Sequence, residues 1–146
     1  MRRSLAATAL AGLLPSGQAR AATPKKGGHM KLASPHGATT DTLNPGLLPN
    51  GYQWMVQFAI ANTLTETLAD GSLGPSLATE WSANADASVW TFELRKGVEF
   101  HSGKTFDADD AIASIEHHRG PEATSDAKRV AESLGSIRKE GPNTLI

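Results

Sequence analysis

The chain contains no cysteine among its 146 residues. That absence excludes disulfides, cysteine-ligated zinc and thiol catalysis. It also excludes anchoring through a lipoprotein signal, which needs a cysteine at the cleavage site. Aromatic residues are scarce, with four Phe, three Trp and one Tyr, and 14 Lys and Arg nearly balance 15 Asp and Glu. Without a basic stripe or an aromatic-rich basic patch, nucleic acid is excluded as a partner. A Gly-rich phosphate loop, a His-Glu-x-x-His pair and a nucleophile elbow are all missing. The chain is therefore read as non-enzymatic, with no catalytic residue and no cofactor. Low-complexity tracts and internal repeats are absent too, and 39% hydrophobic with 20% charged residues suits a soluble globular chain.

Long apolar runs are also lacking. The stretch Leu5 to Leu14 is ten residues, too short to span a bilayer. Arg2 and Arg3 precede it, Pro15-Ser16-Gly17 breaks it, and Ala19-Arg20-Ala21 offers small residues at the two positions a signal peptidase reads. Residues 1–21 are thus expected to be a signal peptide, with Ala22 as the mature terminus. Ser4-Leu5-Ala6 after the arginine pair lacks the bulky residues of a twin-arginine signal and favours Sec export. The expected location is periplasmic, exported and not lipid-anchored. Loss of Arg2, Arg3 and Arg20 leaves eleven basic against fifteen acidic side chains, a mature net charge of about −4.

What is present is most informative from Trp90 to Ile112. Trp90, Phe92 and Leu94 alternate with Thr91, Glu93 and Arg95, the period of a half-buried strand. After a turn at Lys96-Gly97, Val98 and Phe100 alternate with Glu99 and His101. Ser102-Gly103-Lys104 breaks the pattern, and Asp107 opens a helix.

Phe92, Leu94, Arg95, Lys96, Gly97, Val98, Phe100, His101, Gly103, Ala108 and Asp110 resemble the signature region of the extracytoplasmic solute-binding proteins of peptide and nickel ABC importers, solute-binding family 5. Pro75-Ser76-Leu77-Ala78-Thr79-Glu80-Trp81 looks like the family's Pro-x-Leu-Ala-x-x-Trp element. Leu64-Thr65-Glu66-Thr67-Leu68 looks like its helix-to-strand passage, and Asp41-Thr42-Leu43-Asn44-Pro45 like its first loop. The resemblance implies a two-lobed periplasmic binding protein of several hundred residues that closes over a solute and docks on a membrane permease driven by ATPase subunits. Asn143-Thr144-Leu145-Ile146 reads as a strand interrupted at its start. Residues 22–146 are accordingly expected to be part of the N-terminal lobe, truncated, with a mixed α/β (α+β) pattern and read as a monomer.

Along the mature chain, a strand is expected over His29 to Ala33, then a loop from Ser34 to Gly51 rich in Pro, Gly, Thr and Asn. A helix over Tyr52 to Leu64 follows, with Tyr52, Met55, Val56, Ala59, Ile60, Thr63 and Leu64 on one largely buried face. Pro75 to Trp81 is expected as one or two helical turns. Strands come next over Val89 to Arg95 and Val98 to Phe100. Asp107 is expected to cap a helix over Ala108 to His118 by accepting from the Asp110 amide. A helix over Ser125 to Ser133 leads to a strand near Ser136 to Lys139.

The chemistry-bearing residues have ordinary structural readings. His117 and His118, about 100° apart on a helix, cannot readily share one ion and suit a solvated helix C-terminus. His101 reads as a hydrogen-bonded structural residue, and Asp107, Asp109 and Asp110 as helix-start carboxylates, not a metal cluster. By the family resemblance, the loop after the first strand and the start of the next helix line the cleft. Ser34, His36, Asn50, Gly51 and Tyr52 are the expected substrate-binding residues, with no metal ligand assigned. A loop of some eighteen residues usually has a function, and serine, asparagine and backbone groups suit a peptide main chain. Two alternatives remain open: a nickel or metallophore binder, hinted at by His29 and His36, and a small exported protein with no transport role.

Overall fold

The computed structural model describes residues 26–146, so the expected signal peptide lies outside the described residues. Residues 26–32 form no regular element, and the strand expected over His29 to Ala33 is absent. Met30 and Leu32 stay exposed, having no partner strand to bury them. Residues 33–146 make one compact unit, described here by itself.

Its elements, in order, are α1 (Gly51–Ile60), β1 (Thr65–Thr67), β2 (Leu73–Pro75), β3 (Ala78–Ala83), β4 (Trp90–Leu94), α2 (Ala108–His117), α3 (Lys128–Ser133) and β5 (Thr144–Leu145). β1 and β2 form an antiparallel hairpin, and β3-β4-β5 form an antiparallel sheet with β4 at its centre. The mixed α/β expectation holds. The antiparallel pairing makes it the α+β variety: short turns join β1 to β2 and β3 to β4, while β5 returns to β4 only after α2 and α3.

Alternation in Trp90–Leu94 predicts β4, and the structure places Leu94 at 3% exposure in the core. There it meets Phe106, Ala108, Ala111 and Leu145, with Leu64, Leu77, Phe92, Val98, Ile112, Ile115 and Ile137 packed around them. α2 contributes Ala108 and Ala111, with Ile112 and Ile115 packed beside them. Its start is a reciprocal capping box. The Asp107 carboxylate accepts from the Asp109 and Asp110 amides (2.9 and 3.2 Å), and Asp110 accepts from the Asp107 amide (3.1 Å). Lys104 pairs with Asp110 and Lys139 with Asp109, so two lysines, together with the capping bonds, take up the acidic cluster.

Several expected elements differ. Pro75 to Trp81 is not helical: Pro75 ends β2, and Ala78 to Trp81 belong to β3. The Leu64 carbonyl accepts from the Ser76 and Ala78 amides (3.3 and 2.8 Å), and Trp81 pairs with Phe92, so long-range ladder bonds override the local helical signal. Thr79 is a bulge between Ala78 and Glu80. Val98 to Phe100 is reduced to one bridge, Glu99 with Thr105, because the chain folds back through Gly103 at positive φ. The segment expected as a strand near Ser136 to Lys139 makes a bridge from Lys139 to Leu145, with Arg138 and Ile146 exchanging backbone bonds at 2.8 and 2.7 Å. α3 begins at Lys128 instead of Ser125, because the Ser125 hydroxyl accepts from the Ala127 amide and makes a turn first.

α1 departs most. It stops at Ile60, and Thr63 and Leu64 leave the helix to pair with Ser76–Ala78. Its apolar residues are not buried: Trp54 is 50% and Phe58 72% exposed, while Gln53 is 2% exposed. The helix is held by amide side chains instead of a greasy face. Gln53 Nε2 donates to the Thr42 carbonyl (2.8 Å) and Gln57 Nε2 to the Leu43 carbonyl (3.1 Å).

Leu94→Ala should destabilise the fold by about 2–5 kcal/mol, and Asp107→Ala by about 1 kcal/mol, both read from urea unfolding midpoints. The hydrogen bond from Lys104 holds the Asp110 carboxyl below the usual carboxylate range. Its contribution to stability should therefore be complete above the ordinary carboxylate pKa and be lost as pH falls through the lower folded value, a loss that Asp110→Asn abolishes.

Candidate functional site

The five expected binding residues fall on the loop before α1 and on its first turn, and they take different roles. Asn50 is the N-cap of α1: its Oδ1 accepts from the Gln53 amide (3.1 Å), and its Nδ2 donates to Asp41 (2.9 Å). The other carboxylate oxygen of Asp41 accepts from the Ala38 amide (2.8 Å). Both ends of the Asn50 side chain are committed, which makes it a positioning residue. Gly51 is exposed, and the space a Cβ would occupy is open. Tyr52 is 39% exposed and faces outward from the helix start. Ser34 is half-buried and donates to the neighbouring Pro35 carbonyl (2.9 Å). His36 is exposed and adopts φ +81°, a left-handed conformation that few non-glycine residues hold without support.

Asp41 and Thr42 therefore underpin the surface that Gly51 and Tyr52 present. The sequence singled out Asp41-Thr42 only as a resemblance to a first loop; the bond from Asn50 to Asp41, nine residues away, has no sequence pattern that marks it. Gln53 went unnoticed because a single Gln on an apolar helix looks like a solvated position. Its Oε1 is buried and has no hydrogen-bond partner, a cost of about 1–3 kcal/mol.

Beside this loop runs an apolar groove of about 790 Å³ between α1, α2 and the 98–106 turn, lined by Trp54, Phe58, Ile60, Val98, Phe100 and Phe106 among others. Two histidines, His101 and His118, are also among its lining residues. His101 Nε2 donates to the Ile60 carbonyl at the end of α1 (2.9 Å), the structural role expected of it. His118 Nδ1 lies 2.6 Å from the Ser125 hydroxyl. The adjacent His117 donates from Nε2 to Asn44 Oδ1 (2.9 Å). The two rings bond to different partners, and neither is simply solvated at a helix end, the role expected from the sequence: each ties α2 to a different segment. Among the described residues, no three His, Asp or Glu side chains gather in metal-binding range, and no helix is long and apolar enough to cross a membrane.

Asn50→Ala should cost about 1 kcal/mol and speed hydrogen exchange at the Gln53 amide while leaving the Leu94 amide protected. Equal protection at Gln53 in both proteins would show that another group caps α1.

Comparison with known proteins extends this geometry. The family model "Bacterial extracellular solute-binding proteins, family 5 Middle" matches residues 72–146, just over half of the chain. The nickel-binding periplasmic protein of Escherichia coli K12 is 43% identical over 74 residues, covering 50% of this chain and 14% of its own. Di/tripeptide-binding protein 2 of Pseudomonas aeruginosa is 33% identical over 96 residues, covering 58% of this chain and 18% of its own. Among solved structures, the PBP AgaA of A. tumefaciens R10 in complex with agropinic acid superposes with a TM-score of 0.68 at 29% identity, over 71% of this chain and 21% of that one. The chain thus spans about a fifth or less of the length of the two curated relatives. With the match reaching from β2 through β5, the chain belongs to the bacterial extracellular solute-binding proteins of family 5.

Proposed function

We propose that this chain is part of the extracytoplasmic binding component of an ABC importer that captures di- or oligopeptides and delivers them to a membrane permease. The observation that carries the reading is the reach of the likeness. The di/tripeptide-binding relative aligns over 58% of this chain, against 50% for the nickel-binding one. A second reading, a nickel or metallophore carrier, is favoured by the higher identity of the latter, 43% against 33%. Neither relative is an enzyme by name, and the family is one of solute binding.

The local geometry supports a peptide-type solute. Gly51 offers open backbone approach and Tyr52 an aromatic face with a hydroxyl, while Asn50, with Asp41 behind it, fixes their position. Ser34 and His36 stand on the preceding loop as further polar contacts. Main-chain and small polar groups of this kind grip a peptide backbone without reading its side chains. Lobe closure would follow because a solute touching both lobes binds the closed state more tightly. Residues 1–21 would direct export to the periplasm, the compartment named for the nickel-binding relative.

Thermal unfolding of the full chain with a di- and tripeptide mixture, and separately with Ni²⁺ plus histidine, tests the choice. Peptides should raise the midpoint, and Tyr52→Ala should weaken that effect by about tenfold in Kd, roughly 1.4 kcal/mol. Stabilisation by Ni²⁺ with histidine alone would overturn the peptide reading in favour of nickel.

A further inference from the structure

We propose that His118 and Ser125 form an acid-sensitive latch on the loop that carries Asp41 and Thr42. The latch exists whatever the solute; only its consequence for release rests on the solute-binding reading. Ser125 is buried, its Oγ accepts from the Ala127 amide (3.1 Å), and His118 Nδ1 stands 2.6 Å from that same oxygen. With a neutral imidazole protonated on Nε2, the serine hydroxyl donates to Nδ1 while its oxygen accepts from Ala127. Protonation makes Nδ1 a donor, and the hydroxyl hydrogen of the buried Ser125 loses its acceptor, a state that buried polar groups avoid.

The surroundings already disfavour the charged ring. Burial, and secondarily the neighbouring His117, hold His118 below the ordinary histidine value. The charged groups nearby are otherwise engaged or exposed. On α2 and its end, Glu116 pairs with Arg119 at 3.1 Å. From α3, Lys128 donates to the Pro121 carbonyl (3.1 Å) and lies 3.9 Å from Glu132. On the groove side Asp110 is held by Lys104, and His101 is bonded to the Ile60 carbonyl. On the Ser125 segment, Glu122 and Asp126 are exposed. From the loop, Asp41 is bonded to Ala38 and Asn50.

Ser125 matters to the loop because the two are packed without slack. A Cβ on Gly46 would lie 3.1 Å from the Ser125 Cβ, and the Asp126 amide donates to the Gly46 carbonyl (2.9 Å). His117 grips the same loop through Asn44. Opening the latch loosens residues 41–48, and with them the Asp41 and Thr42 supports of Asn50 and Gln53. Solute affinity then falls in acid. The sign follows from linkage: the free histidine takes up a proton more readily than the folded one, so the latch is fully made above the ordinary histidine value and is lost as pH falls from there to the folded value.

Hydrogen-exchange protection factors of the solute-free full chain, measured from pH 7.5 to 5, test this. Protection at the Asp126 and Ala127 amides should fall by up to about tenfold per pKa unit by which folding depresses His118, while the Leu94 amide stays protected. His118→Asn, which places a non-titrating acceptor near the Nδ1 position, should remove the pH dependence. Nitrogen-15 spectra of the unmodified protein give an independent readout: at pH 7.5, His118 should be neutral with its proton on Nε2. Flat protection at Asp126 and Ala127, or an Nδ1–H tautomer at neutral pH, would overturn the latch. Acid-dependent protection in a chain that binds neither peptide nor nickel supports the latch and counts only against the solute reading.

Discussion

Leu94 ends β4 where three constraints meet. Its amide donates to the Asn143 carbonyl (2.7 Å), the next amide, of Arg95, donates to the Leu77 carbonyl (2.7 Å), and its side chain fills the small core. One residue thereby fixes β3 on one side, β5 on the other and α2 above. Backbone ladders and apolar burial act together here, since displacing Leu94 would expose two unpaired carbonyls as well as a hydrophobic side chain. The core is small, with seven buried hydrophobic residues among those described, four of them alanines, so this junction carries a large share of the order.

From it the rest is hung by polar contacts. The Ala108 amide donates to the Pro142 carbonyl (2.9 Å), bringing the capped start of α2 over β5. The far end of α2 holds two segments through His117 and His118. α1 in turn depends on Gln53, Gln57 and the His101 bond at its end. The loop that presents Gly51 and Tyr52 is therefore connected to the core through a series of directed hydrogen bonds, each sensitive to geometry and some to protonation.

That division explains what could be read from residues alone. β4 and α2 were legible because alternation, spacing and a carboxylate cap are local signals that tertiary packing reinforced. The Asp107 cap followed the same logic, whereas the structural role of His101 was read from its place in the family turn, and its partner, the Ile60 carbonyl, lies far along the chain. Pro75 to Trp81 misled because a Pro followed by Leu and Ala suits a helix start, while the bonds that make it strand come from Leu64 and Phe92, far along the chain. α1 misled for the opposite reason. Its apolar residues have helical spacing, but burial is decided by what stands opposite, and here that is the backbone of Thr42 and Leu43. The candidate binding residues drew attention through family likeness and loop length; that the Asn50 side chain is bonded inward while Tyr52 is exposed depended on the partner Asp41, which no pattern marks.

The way α1 is fastened also bears on how such a protein changes over generations. Its foundation is two glutamines reaching main-chain carbonyls, which every sequence possesses. Exchanges at Trp54, Phe58 and Tyr52 leave those two bonds standing, whereas an exchange at Gln53 removes one of them. Because the bonds beneath α1 are made by other side chains than those it exposes, its outer side can be exchanged one residue at a time while the fastening beneath is kept.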